Sequence, residues 1–187
     1  MRRLVQYLFL PVLASTATLV NHTVDDQYGD SVSGVLPAYT PRHQWAYGPQ
    51  CSGCSIYPDT HTHTGPSAAG AAVDMTQAFR GSWHDTTDTH TGAPSTVSIT
   101  FVGQAVYVYN IIANSIPTVT TLTSLVFAFN GTVVGNYTHQ PDSSGLLLLY
   151  QVPVYVNTSL PHGTHNLTIS TSGPENSLLL FDYITYT

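Results

Sequence analysis

The stretch that most constrains this chain is 95–112, STVSITFVGQAVYVYNII. Val97, Ile99 and Phe101 alternate with Ser98 and Thr100, the period-two signature of a strand with one buried face. After a turn at Gly103-Gln104, Val106 and Val108 take one face of a second strand and Tyr107 and Tyr109 the other. A strand apolar on both faces needs something laid over its second face. The long segment 31–92, rich in Gly, Pro, Ser, Thr, Asp and His, is expected to cover those tyrosines.

Further strand signals follow at short spacing, over 123–129, 132–138, 146–155, 164–170 and 178–186, with Gly, Pro and Asn between them. With a first strand at 19–24, about eight strands and almost no helix predict an all-β fold. The specific expectation is an antiparallel β-sandwich of jelly-roll type behind a long loop-rich N-terminal segment. Ala68–Ala78 is the one stretch that reads as a turn or two of helix. For the hairpin at Asn130-Gly131, an outward Asn136 with an inward Phe127 row predicts a three-residue loop. That loop pairs Phe127 with Val133.

The start of the chain is set apart. Met1-Arg2-Arg3, the apolar run Leu4–Leu13 and the small residues Ala14–Ala17 read as a secretory signal peptide over 1–17, leaving a single domain over 18–187. The apolar run is too short for a membrane span, which needs about 20 residues, so no transmembrane anchor is expected. Past that leader only Arg42 and Arg80 are basic, against ten acidic residues, and there is no lysine. A phosphate backbone needs clustered Lys and Arg, so nucleic acid is excluded as a partner. Sequons at Asn21, Asn130, Asn136, Asn157 and Asn166 predict N-glycosylation of a secreted glycoprotein. Cys51 and Cys54 are the only cysteines. In an oxidising compartment they are expected as a structural disulfide, the redox-active alternative lacking its helix and βαβ setting.

The stretches VDDQYGD, CSGC, GSWHDTT, FVGQAVYVYNIIAN and NSLLLFDYITYT together resemble a family of secreted, basidiomycete-type fungal proteins of uncharacterised function. The resemblance covers about 21–187. It implies a galactose-binding-domain-like jelly roll and an extracellular or cell-wall location, with the ligand class only loosely implied.

Candidate site residues cluster before residue 92. Trp83 offers a broad apolar face for a sugar ring, and His84 and Asp85 beside it can hydrogen-bond hydroxyls; Trp45, Tyr47 and Tyr57 lie in the same half. The alternative reading makes Trp83 a core residue. Asp25, Asp26 and Asp30 are oxygen ligands of the type calcium takes, or turn-forming Asx residues. His61, His63, His84 and His90 have the right chemistry for zinc or copper but no fixed spacing. No other cofactor is implied. Asp182, in an apolar strand, reads as a partly buried acid capping a loop backbone near the sheet rim.

No G-x-S-x-G, HExxH or P-loop occurs, and the expectation is a non-catalytic protein that binds carbohydrate or associates with a cell-wall polysaccharide. A structural surface or protein-interaction module without a sugar ligand is the alternative. It predicts a buried Trp83 and no concave aromatic surface. A small polysaccharide-active enzyme is the third reading. It needs two of Asp85, Asp88 and Asp182 facing one cleft.

Overall fold

The computed structural model describes residues 19–51, 53–60, 70–143 and 145–187. The proposed leader, His61 and His63 lie outside the described residues. The strands are β1 (His22–Asp25), β2 (Gly29–Asp30), β3 (Ala38–Thr40), β4 (Ala46–Tyr47), β5 (Ile56–Pro58), β6 (Ala71–Val73) and β7 (His84–Asp88). They continue with β8 (Thr96–Gly103), β9 (Val106–Ala113), β10 (Thr123–Phe129), β11 (Thr132–His139), β12 (Leu148–Asn157), β13 (Gly163–Thr171) and β14 (Ser177–Tyr186).

One antiparallel sheet runs β12-β9-β14-β1-β2 and the other β11-β10-β13-β8-β3. Take β1 and β8 to β14 in chain order as eight strands. The sheets then read first-eighth-third-sixth and second-seventh-fourth-fifth, which is jelly-roll order. All eight coincide with the alternating stretches of the sequence. The turn after β8 therefore carries the chain from one sheet to the other. Gly103 permits it, since a Cβ there would lie 2.6 Å from the Thr187 carbonyl oxygen.

Alternation also explains the core. Val97, Ile99 and Phe101 of β8, Leu125, Phe127 and Phe129 of β10 and Leu167 and Ile169 of β13 meet Val106, Val108, Leu179, Phe181 and Ile184 of the opposing sheet. A second apolar cluster sits on the outer face of the β9–β14 sheet, where Ile111, Leu178 and Leu180 pack against Ile56, Val73 and Trp83. The segment before β8 does cover that face, but only in part at the tyrosines. Tyr109 and Tyr107 stay half-buried, Tyr109 stacking on Tyr183 at 4.7 Å and Tyr183 on Phe79 at 4.4 Å.

Two local expectations are corrected. Residues 71–73 form β6, paired in parallel with β5, instead of helical turn; two alanines and a valine alternate buried, exposed, buried against the outer cluster. The β10–β11 hairpin turns on two residues, Asn130 and Gly131, both at positive φ (50° and 83°), as two-residue hairpin turns require. Phe129 pairs with Thr132 and Ala128 with Val133, and a bulge then lets Phe127 face Gly135. One extra residue shifts the side-chain parity. Asn136 still points outward and Tyr137 inward, while Val133 is two-thirds exposed. The three-residue loop was an unneeded solution, because the bulge restores one apolar face.

Candidate functional site

The site is built at a seam in the larger sheet. The edge of β14 has two successive partners: β1 pairs with Tyr183–Tyr186 and β7 with Ser177–Phe181. Asp182 falls between them. The chain leaving β1 closes the gap, with the Asp26 N–H donating to the Asp182 carbonyl at 3.1 Å. The chain entering β7 grips the Asp26 side chain from the other side. Ser82 Oγ donates to Asp26 Oδ1 at 2.5 Å, and His84 Nδ1 lies 2.8 Å from Asp26 Oδ2. The Asp182 carboxyl accepts the Phe79 N–H at 3.0 Å. It is a buried acid capping a loop backbone, as its place in the sequence suggested.

Above this seam the two sheets contribute aromatic rings to one concavity of about 490 Å³. Tyr39 comes from β3 at the edge of the smaller sheet, Tyr47 from β4 beside β7, and Trp45 from the end of a short 3₁₀ turn, Arg42–Gln44, between them. Tyr39 stacks on the His84 ring (4.1 Å, 14° between planes), and Trp45 leans on Tyr39 at 4.8 Å. The Tyr39 hydroxyl donates to the Asp26 carbonyl at 2.7 Å, locking the stack to the seam. Arg42 and Gln27 complete the polar rim. Arg42 is exposed, and no carboxylate pairs with it among the described residues.

Burial governs the electrostatics. It pushes the Asp26 carboxyl above the usual carboxylate range, against the opposing hydrogen bonds from His84 and Ser82. Burial, then the Asp26 and Asp25 charges, pushes the Tyr39 phenol up. Asp182 is pushed up to about 8, mainly by burial, with Asp26 and Asp25 adding to it and the Phe79 N–H opposing. The pocket floor thus offers a hydrogen-bonded histidine–carboxyl pair between aromatic walls, a surface suited to a ring with apolar faces and polar edges.

The sequence candidates divide. Trp45, Tyr47 and His84 line this pocket. Trp83 does not: it is fully buried in the outer cluster and packs against Gly48, so it has no face for a sugar. The reason is strand parity, because residues 83 and 85 point to the outer face of β7 and residue 84 to the seam. Asp85 is accordingly buried on the far side and opens into a separate cleft beside Cys54, Ser55, Thr118 and Thr120. Tyr57 sits in β5, outside the aromatic pocket. The buried Trp83 matches the core reading, yet the concave aromatic surface exists without it.

Asp25, Asp26 and Asp30 do not converge. Asp25 accepts the N–H groups of Gln27 and Tyr28 in a turn, Asp26 belongs to the seam, and Asp30 binds Ser33 and the Tyr186 hydroxyl. Among the described residues no group of three His, Cys, Asp or Glu is placed to hold a metal ion. His84 is engaged by Asp26, while His90 contacts the Glu175 carbonyl. Cys51 and Cys54 are joined as a disulfide, as expected. Asn21, Asn130, Asn136 and Asn166 are exposed; Asn157 is half-buried, with its side chain 3.4 Å from the Tyr155 hydroxyl. Among the described residues no helix is long and apolar enough to cross a membrane.

Tyr39 and Asp26 are the site residues that sequence reasoning did not assign to a pocket. The only signal was the aromatic spacing Tyr39, Trp45, Tyr47 around Pro41-Arg42.

No protein-family model and no curated protein matches the chain. Among solved structures it resembles the catalytic domain of Agl-KA, with a TM-score of 0.50 and 13% identity over 96% of this chain and 30% of that one. It also resembles the catalytic domain of a GH87 alpha-1,3-glucanase in complex with tetrasaccharides, with a TM-score of 0.48 and 14% identity over 91% of this chain and 28% of that one. The likeness is one of fold. The chain spans 30% or less of the length of these neighbours. That likeness overturns the expectation of a protein without catalysis. A sandwich that recurs within catalytic domains is not marked as non-enzymatic by the motifs it lacks.

Proposed function

We propose that this chain is a secreted glycoprotein that engages a polysaccharide through the Tyr39–Trp45–Tyr47–His84 pocket. The observation that carries the reading is the pocket itself: two aromatic rings from two sheets and a third from the turn between them, around a histidine–aspartate pair. Trp45 is partly exposed and offers a ring face, while His84, oriented by the buried Asp26 carboxyl, supplies a polar edge. The likeness in fold to the catalytic domain of Agl-KA is compatible with this reading, and the resemblance to secreted fungal proteins supports a cell-wall polysaccharide as target.

Retention on insoluble glucans and chitin tests it. Trp45→Ala is expected to lose about tenfold in retention, about 1.4 kcal/mol, with a lowered melting temperature but a folded protein, because Trp45 packs only partly buried at the edge of the main core. Equal retention of folded Trp45→Ala and wild type would remove the proposal.

A second reading, hydrolysis of the bound polysaccharide, is favoured by one observation: the buried Asp26 carboxyl, raised by burial, is hydrogen-bonded to His84, which lines the pocket and can relay a proton to a ligand. Asp85 and Asp88 cannot supply a carboxylate pair together, since they leave β7 on opposite faces. Release of reducing ends in the same incubations, lost in Asp26→Asn, is the result this reading requires.

A further inference from the structure

The cleft beside the disulfide is separate from the aromatic pocket, and its chemistry is unusual. Asp85 is more than nine-tenths buried, yet among the described residues its carboxyl has no hydrogen bond or ion pair. It opens into a space of about 250 Å³. Burying a carboxyl without a partner is costly, and structures normally relieve it with a hydrogen bond or a cation. The sheet supplies neither here: the residues that pair with Asp85 are Ala46 on β4 and Leu180 on β14. Among the described residues no Lys, Arg or His lines the cleft, and Cys54 is held in the disulfide.

What lines it instead is hydroxyl. Ser55, Thr87, Thr118 and Thr120 surround the opening, and none of their hydroxyls is spent on a protein hydrogen bond among the described residues. Ile56 and Leu178 form the apolar back wall. The site therefore holds one potential negative charge and several neutral oxygen acceptors. A divalent metal would need more acidic oxygens than one carboxyl supplies. A neutral ligand could meet the protonated carboxyl but would give its ionised form no counter-charge. A single ammonium group, with three donors and one positive charge, matches both the charge and the acceptor set.

We infer that this cleft binds a primary ammonium group, that of an unacetylated amino sugar, with Asp85 as its counter-ion and the threonine hydroxyls accepting its remaining protons. The amino-sugar class rests on the polysaccharide reading above; the ammonium chemistry rests on Asp85 alone. The volume lies below the usual range of about 300–1,000 Å³ for drug-sized sites, so one sugar ring at most enters.

Calorimetric titration of the full chain with D-glucosamine, N-acetyl-D-glucosamine and D-glucose tests the inference. Glucosamine is expected to bind at least about tenfold tighter than the other two. Asp85→Asn, which keeps the shape but removes the charge, is expected to abolish that preference. Equal affinity for the three sugars, no glucosamine binding, or a preference that survives Asp85→Asn would each overturn it. The wild-type comparison stands even if the variant fails to fold. Monosaccharide binding is also read separately from polysaccharide retention, so the failure of either result leaves the other interpretable.

Discussion

Between pH 5 and pH 8 the melting temperature is expected to fall by on the order of 10 °C or more. Burial pushes the Asp85 carboxyl up to about 7 and, with Asp26 and Asp25, the Asp182 carboxyl up to about 8, from an ordinary 3.8. Above pH 4 the unfolded chain releases these protons while the folded protein still holds them. Unfolding therefore releases protons, and stability declines with rising pH until each folded value is passed. At about 1.4 kcal/mol per pH unit, the two groups together cost on the order of 5 kcal/mol over this interval. A chain of this size loses about 2–4 °C for each kcal/mol.

The acids with lowered values act elsewhere. Burial raises Asp30 and Asp88, but hydrogen bonds from Ser33 and Tyr186 to the first, and from Thr171 and His90 to the second, outweigh it. Their contribution is complete above about pH 4 and is lost only as the pH falls further. The stability maximum is thus expected near pH 4–5. Thermal melts followed by circular dichroism across pH 3–8 check this. Asp182→Asn, which keeps an acceptor for the Phe79 N–H, should flatten the alkaline limb. A profile that rises from pH 5 to 8 would contradict the burial of these carboxyls.

Trp83→Ala is expected to cost about 3–5 kcal/mol of stability. The side chain is fully buried among Ile56, Val73, Ile111 and Leu180, and no neighbouring loop can collapse into so large a space without uncovering the outer face of the sheet. Gly48→Ala should be comparably damaging, because the added methyl carbon would sit 2.0 Å from Trp83 Cε2. Trp83→Phe should be much milder, since the indole N–H has no acceptor to lose. Chemical denaturation separates the three. A Trp83→Ala protein as stable as wild type, but deficient in polysaccharide retention, would return Trp83 to the binding surface.

The eight strands of the sandwich were legible because short apolar runs, some alternating with hydroxyl residues as Val97-Ile99-Phe101 does and some apolar on both faces, recur between Gly, Pro and Asn turns. The bulge in β11 was not, since Val133 and Val134 are chemically alike and nothing local says which is the extra residue. In the site, parity decided the outcome. Trp83, His84 and Asp85 are consecutive, so a strand must send His84 to one face and the other two to the opposite face. Which face meets the core depends on where β7 docks on β14, a contact nearly a hundred residues away in sequence. Tyr39 was invisible for a similar reason: it reaches His84 only because β3 adds to the edge of the other sheet.

Acrylamide quenching of tryptophan fluorescence tests the central claim most directly, because one tryptophan is sealed and the other lines the pocket. In the free protein the quenchable emission should come from Trp45, leaving Trp83 protected. Addition of a soluble fragment of the retained polysaccharide should shield Trp45 and lower the quenching, with no such change in Trp45→Phe. Demonstrated binding of the fragment with Trp45 quenched as before would contradict the account and place the polysaccharide elsewhere on the molecule.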